Sequence, residues 1–299
     1  MRALKKHKEK DRTKRSKEKR GRRGEEEEEG KRGREEAERA KMGGRNMQPV
    51  TVRNLTIGEG RPKICVPIVG KTKEQILKEA EEIPGLPVDL AEWRADWFES
   101  VFNLEQVNEV LTGLRKILGE IPLLFTFRTS REGGEKAIEP EAYIELNRKV
   151  AESGYVDLVD AELFTGDDKV QKIIAGAHAC GVKVIVSNHD FEKTPEKEEL
   201  VKRLTYMQKL GADIPKIAVM PKDRQDVLIL LAATAEVSEK AACPIITMSM
   251  AGNGIVSRLC GEVFGSAVTF GAGKKVSAPG QIGVEELRKI LTVLHGGMK

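Results

Sequence analysis

From Lys63 onward the chain alternates short, nearly continuous apolar runs with longer stretches whose apolar residues recur at helical spacing. The runs are KICVPIV (63–69), PVDLAEWR (87–94), PLLFTFR (122–128), YVDLVDAELF (155–164), VKVIVSNHD (182–190), DIPKIAVM (213–220), PIITMSM (244–250) and SAVTF (266–270). The helical stretches are 71–83, 104–119, 139–153, 167–180, 195–210, 223–241, 253–262 and 283–295. Thr194-Pro195 predicts an N-cap followed by proline in the first turn, and Gly181 and Gly211 stand where helices stop. Strands apolar on both faces, each followed by a helix, predict a parallel sheet buried on both sides. Eight such units predict an α/β fold of the (β/α)8 TIM barrel type. The rival is an open doubly wound sheet, weakened in its dinucleotide-binding form because no G-x-G-x-x-G follows a strand.

Charge divides the 299-residue chain unevenly. Residues 1–46 carry 19 basic and 11 acidic side chains and no aromatic, whereas residues 47–299 carry 32 and 36. The basic excess therefore belongs to the tail, and nucleic acid is not expected as a partner of the body; an RNA- or anion-binding role would rest on the tail alone. The tail holds too few apolar residues to offset ordering entropy, so residues 1–46 are expected to be a disordered charged tail before a catalytic domain at 47–299. Met47 opens a segment, MQPVTVRNLTIGEG, that reads as a start for that domain. Cys65, Cys180, Cys243 and Cys260 form no CxxC and are expected as reduced thiols. With neither a long apolar span nor the apolar core of a signal peptide, the expectation is a cytoplasmic protein with no membrane partner.

In barrel enzymes the site lies where the strands end. Here the ends carry Glu92-x-Arg94, Arg128 with Glu132 just beyond, Asp160-x-Glu162, Ser187-Asn188-His189-Asp190, and Met248-Ser249-Met250, while Lys216 sits inside DIPKIAV. A lysine in such a strand either snorkels or is dehydrated. Dehydration disfavours the ammonium and frees the amine to form a Schiff base with a carbonyl. His189, one strand away, can shuttle a proton, and Glu132 either orients its imidazole or is a solvated loop acid. Arg94, Arg128 and Arg258 suit a carboxylate or else pair at the surface. The Gly-rich FGAGKKVSAPGQI (270–282) after the last strand reads as a lid or anion cup, with Ser277 and Gln281 as hydrogen-bonding members.

The blocks EWRADWFE (92–99), FTFRTSREGGE (127–135), DLVDAELF (157–164), SNHDFEKTP (187–195), ADIPKIAVMP (212–221), TMSMAGNGIVSR (247–258) and SAPGQI (277–282) together resemble the type I 3-dehydroquinate dehydratase family of the shikimate pathway. The resemblance spans the body in order and leaves out the tail. It implies a barrel that dehydrates 3-dehydroquinate to 3-dehydroshikimate without cofactor or metal, often as a homodimer. By motif, it implies Lys216 as the Schiff-base lysine, His189 as general acid/base and Glu132 as the acid that positions it. Glu92, Arg94, Arg128, Arg258, Ser277 and Gln281 match substrate-binding positions, with Arg258 on the carboxylate, and Met248, Met250 and Phe270 match apolar walls. One departure is Pro67 at the end of the first strand, where some members carry serine. A class I aldolase or transaldolase is the other enzyme reading, since it too uses a barrel lysine.

Overall fold

The computed structural model describes residues 47–273 and 281–298. The disorder expected for residues 1–46 lies outside them, as does the middle of the Gly-rich segment, Ser277 included.

The chain opens with an antiparallel hairpin, β1 (Val50–Val52) and β2 (Leu55–Ile57), that the pattern analysis did not anticipate. Three-residue strands with an exposed Thr51 leave too little alternation to detect. Arg53 begins its turn at φ +51, a conformation disfavoured for a residue with a Cβ. Its guanidinium reaches Asp157 at 2.7 Å and Glu120 at 3.2 Å, which ties the turn to the neighbouring units.

Eight parallel strands follow: β3 (Lys63–Ile68), β4 (Leu90–Arg94), β5 (Leu123–Thr126), β6 (Leu158–Glu162), β7 (Lys183–Asp190), β8 (Ile214–Val219), β9 (Ile246–Ser249) and β10 (Val268–Phe270). Each pairs with the next, and β10 returns to β3 with Val268 beside Lys63. Between β9 and β10 the ring closes through a parallel bridge, Ile245 to Ser266, with Ala267 N donating to Ile245 O at 2.8 Å. This is the predicted (β/α)8 barrel; the open-sheet rival fails at that closure.

Helices α1 (Lys73–Ala80), α2 (Leu104–Leu118), α3 (Pro140–Glu152), α4 (Asp167–Ala179), α5 (Lys197–Leu210) and α6 (Arg224–Lys240) join the first seven barrel strands. Thr72, Asn103 and Asp223 cap α1, α2 and α6 by accepting backbone N–H bonds. The start expected at Thr194-Pro195 is displaced: α5 begins at Lys197, because Thr194 Oγ1 donates to Met220 O at 3.1 Å instead of capping. The single helix expected over 253–262 is two short ones, α7 (Ile255–Leu259) and α8 (Gly261–Phe264). Gly261 lies at the break, where a Cβ would sit 2.8 Å from Ser266 O. The last helix, α9, spans Val284–Gly297.

Period-two alternation splits the core. Outward-facing Ile64, Val66, Trp93, Phe125, Val184, Val186, Ile217 and Val219 pack with the helices in one cluster. Inward-facing Cys65, Leu90, Leu124, Leu158, Ile185, Ile214 and Ile246 form a second cluster with Val50, Val52 and Ile57 of the hairpin. Each fully buried Leu or Ile there contributes roughly 1.5–3 kcal/mol. The hairpin thus closes the end of the barrel where the strands begin, and Cys65, buried in that floor, is a free thiol.

Candidate active site

Above the apolar floor the inward positions change character. Two residues along from Leu90, Leu124, Leu158, Ile185, Ile214 and Ile246 come Glu92, Thr126, Asp160, Ser187, Lys216 and Met248. Two further on come Arg94, Arg128, Glu162, His189, Ala218 and Met250. The same period that builds the core therefore stacks two tiers of mainly polar and charged side chains at the strand ends. Register sets neighbours: Glu162 lies beside Ser187, and Ser187 beside Lys216.

These side chains surround a cavity of about 250 Å³. Its wall contains Lys216, His189, Glu132, Glu92, Arg94, Arg128, Arg258, Met248, Met250, Phe270 and Gln281. Every described residue that the resemblance marks as catalytic or substrate-binding therefore lines one space, whereas Asp160, Glu162, Ser187, Asn188, Asp190 and Ser249 of the strand ends do not. Trp97, Gly133, Glu135, Phe191 and Ala218 complete the wall and were not singled out from the sequence.

Lys216 is 3% exposed, with Nζ 4.4 Å from the centre of the Phe270 ring and 3.9 Å from Asp160 Oδ2. Burial pushes its amine below the ordinary lysine value; Glu92 and Asp160 oppose that shift and Arg128 adds to it. His189 Nδ1 lies 3.0 Å from Glu132 Oε2, and the His189 backbone N donates to the same oxygen at 2.9 Å. Burial, then the cations Arg128, Lys216 and Arg94, hold His189 well below its usual value, so its imidazole is neutral near pH 7. Burial pushes Glu132 the other way, up to about 8, with Arg128 pulling it back and Glu162 adding to the rise. The two groups compete for one proton along the Nδ1–Oε2 contact.

Arg128 is committed within the protein. It donates to Glu162 Oε1 at 2.9 Å and Ser187 Oγ at 3.0 Å, and its Nη2 pairs with Asp160 Oδ1 at 2.9 Å. Its burial opposes the charge, but Asp160, Glu162 and Glu132 outweigh burial and drive its pKa well up. Arg94 is gripped by Asp96 through two bonds of 2.9 and 2.8 Å. Glu92 Oε1 accepts from Thr126 Oγ1 at 2.8 Å. Arg258 Nη1 contacts Met248 Sδ at 3.6 Å, and burial lowers its guanidinium to about 10. Asp96, Asp160, Glu162 and Ser187 thus form the supporting network. Three of them were visible as strand-end residues, but their partners are 27 to 59 positions away, so sequence alone assigned them no role. Among the described residues no group of His, Cys, Asp or Glu side chains is arranged to hold a metal ion, and no helix is long and apolar enough to cross a membrane.

Residues 64–298 match the family described as Type I 3-dehydroquinase. This chain belongs to that family. The 3-dehydroquinate dehydratase of Clostridioides difficile (strain 630) is 58% identical over 247 residues, 82% of this chain and 97% of the relative. That of Listeria monocytogenes (serotype 4b, strain F2365) is 59% identical over 249 residues, 83% of this chain and 99% of the relative. Among solved structures, the type I 3-dehydroquinate dehydratase of Clostridium difficile with covalent modified comenic acid superposes with a TM-score of 0.82 at 57% identity, covering 84% of this chain and 99% of the other. The Geobacillus kaustophilus 3-dehydroquinate dehydratase gives a TM-score of 0.82 at 43% identity, covering 84% and 98%. The match runs from β3 through α9 and so spans every residue named in the cavity's wall; the aldolase reading is set aside.

Proposed function

We propose that the chain converts 3-dehydroquinate to 3-dehydroshikimate through an imine on Lys216, with His189 moving the protons. The observation that carries this reading is the dehydrated amine of Lys216 in one small cavity with a neutral imidazole. Covalent modification in the Clostridium difficile relative is in keeping with a nucleophile in this cavity.

A proton next to a ketone is far too weakly acidic for imidazole. Attack of Lys216 on the ketone and loss of water give a protonated imine, which draws electrons from the adjacent carbon. His189 Nε2 then removes the C2 proton while Nδ1 faces Glu132, and an enamine forms. The enamine expels the C1 hydroxyl, which takes its proton from the imidazolium. Water hydrolyses the conjugated imine and releases product and the free amine. Atoms balance as the loss of one water, and the imine serves as the electron sink, so this route draws on no metal or organic cofactor.

Arg258 offers a cation for the substrate carboxylate, Glu92 and Arg94 offer groups to its hydroxyls, and Met248, Met250 and Phe270 offer an apolar face to its ring. Because Arg128 already holds Asp160, Glu162 and Ser187, its part is to fix the acids around Lys216 more than to grip substrate. Ser277 enters this reading by its motif alone. The same reading takes the enzyme as a cytoplasmic homodimer, which sedimentation measurements check.

Borohydride with 3-dehydroquinate should trap a covalent adduct on Lys216, located by peptide mass spectrometry. Lys216→Met should abolish trapping and turnover, while His189→Ala should still form adduct but barely turn over. An unchanged mass in a fully active sample would overturn the imine.

A further inference from the structure

Behind the His189–Glu132 contact a line of hydrogen bonds continues out of the barrel. Asn188 Nδ2 donates to Glu132 Oε1 at 3.3 Å, the oxygen that does not face His189. Asn188 is itself buried, on the outward side of β7. Arg203 on α5 donates from Nη1 to Asn188 Oδ1 at 2.9 Å. Arg203 Nε is held by Glu199 Oε1 at 2.7 Å, and its guanidinium lies over the Phe164 ring at 5.2 Å. Arg203 stands in the wall of a second, larger cleft of about 550 Å³, which shares Glu132, Gly133, His189 and Phe191 with the catalytic cavity.

An asparagine amide has two nearly isosteric orientations, chosen by its neighbours. A guanidinium only donates, so Arg203 fixes Oδ1 toward itself and turns the NH2 toward Glu132. We propose that Arg203 is a positioning residue for the dehydration: through Asn188 it orients the Glu132 carboxyl on His189 Nδ1 and favours its anionic form, leaving Nε2 free to take the substrate proton. The inference rests on the function proposed above for its consequence in turnover, but the relay itself is a property of the substrate-free protein.

Without Arg203 the amide can turn its oxygen to Glu132. The carboxylate then loses a donor, binds a proton more readily, and ceases to hold Nδ1–H. A proton on Glu132 removes the arrangement in which His189 acts as base, so the base form is lost at a higher pH than in the parent. The other charges facing the pair stay in place: Arg94, Arg128, Glu162 and Lys216 from within the barrel, and Arg131, Glu139, Asp190 and Glu192 around the outer cleft.

The test is Arg203→Met, which keeps an aliphatic stem against Phe164. At pH 7 kcat should fall about tenfold, a part of what a well-placed base contributes, with KM changed less than about twofold. The acid limb of the kcat profile should move up by about half a pH unit or more, the scale of one hydrogen bond lost from a charged acceptor. In substrate-free protein above about pH 8, where Glu132 is ionised, the 15N shifts of the His189 ring should pass from one Nδ1–H tautomer to a mixture. Should this variant not fold, Asn188→Asp, which also cannot donate to Glu132, carries the same readouts in the same direction. A parental acid limb and parental ring shifts would overturn the proposal. Because the ring shifts are read without substrate, failure of the parent protein to dehydrate 3-dehydroquinate would strike the proposed function and leave the relay standing.

Discussion

Glu132→Gln should uncouple stability from pH in a way that reports how far the site strains its own carboxylate. The side chain is 5% exposed, and burial raises its pKa from 4.5 to about 8. Below about pH 4.5 the carboxyl is protonated in both folded and unfolded chains, and the shift has no effect. Between about pH 4.5 and 8 the folded protein keeps a proton that the unfolded chain releases, so stability falls as pH rises. Each unit is worth about 1.4 kcal/mol, so the full loss above pH 8 is on the order of 3–5 kcal/mol. Glutamine does not titrate. Its amide donates where Asn188 also donates, which subtracts about 1 kcal/mol at every pH. Urea unfolding at pH 5 and pH 9 therefore should show the variant near or slightly below the parent at pH 5 and more stable by a few kcal/mol at pH 9. Turnover should fall about a hundredfold at pH 9, where Glu132 is ionised, because His189 loses the anion that fixes its tautomer. A stability difference independent of pH would refute the idea that the acid is held against its preferred charge state.

Asp160→Asn removes an anion 3.9 Å from Lys216, one that raises the pKa of the amine. The amine should then be free at lower pH, and borohydride trapping measured against pH should shift its midpoint downward, with stability reduced by about 2 kcal/mol or more as Arg128 loses a buried partner. Gly133→Ala places a Cβ at φ +80 and 2.4 Å from the Phe191 ring. It should destabilise by about 1–2 kcal/mol from the backbone alone and raise KM by displacing Phe191; a smaller KM effect of the same change in a Phe191→Ala background checks the cause.

The barrel was legible because its strands are buried on both faces: Val184-Ile185-Val186 and Ile217-Ala218-Val219 read as apolar runs that no surface strand would show. The polar interruptions at Glu92, Lys216 and His189 pointed to the site, although the apolar run around Lys216 left open whether that side chain faces the bore or a helix; the closed ring turns it inward. The supporting acids were harder. Asp96 lies in a short 3-10 turn and accepts from Arg94, from the backbone of Arg128 and from that of Glu135. Nothing in the local pattern distinguishes it from a surface aspartate; only ring closure brings those donors together. Likewise the hairpin strands are too short to show a period, and the break at Cys260 depends on how closely Gly261 approaches Ser266.

Among the described residues, Val50, Val52 and Ile57 plug one end of the bore, which directs traffic to the other. On the proposed route, incoming ketone, departing enone and the water that frees the amine all pass by that end. A product that lingers there blocks the next arrival, so inhibition by product should be competitive.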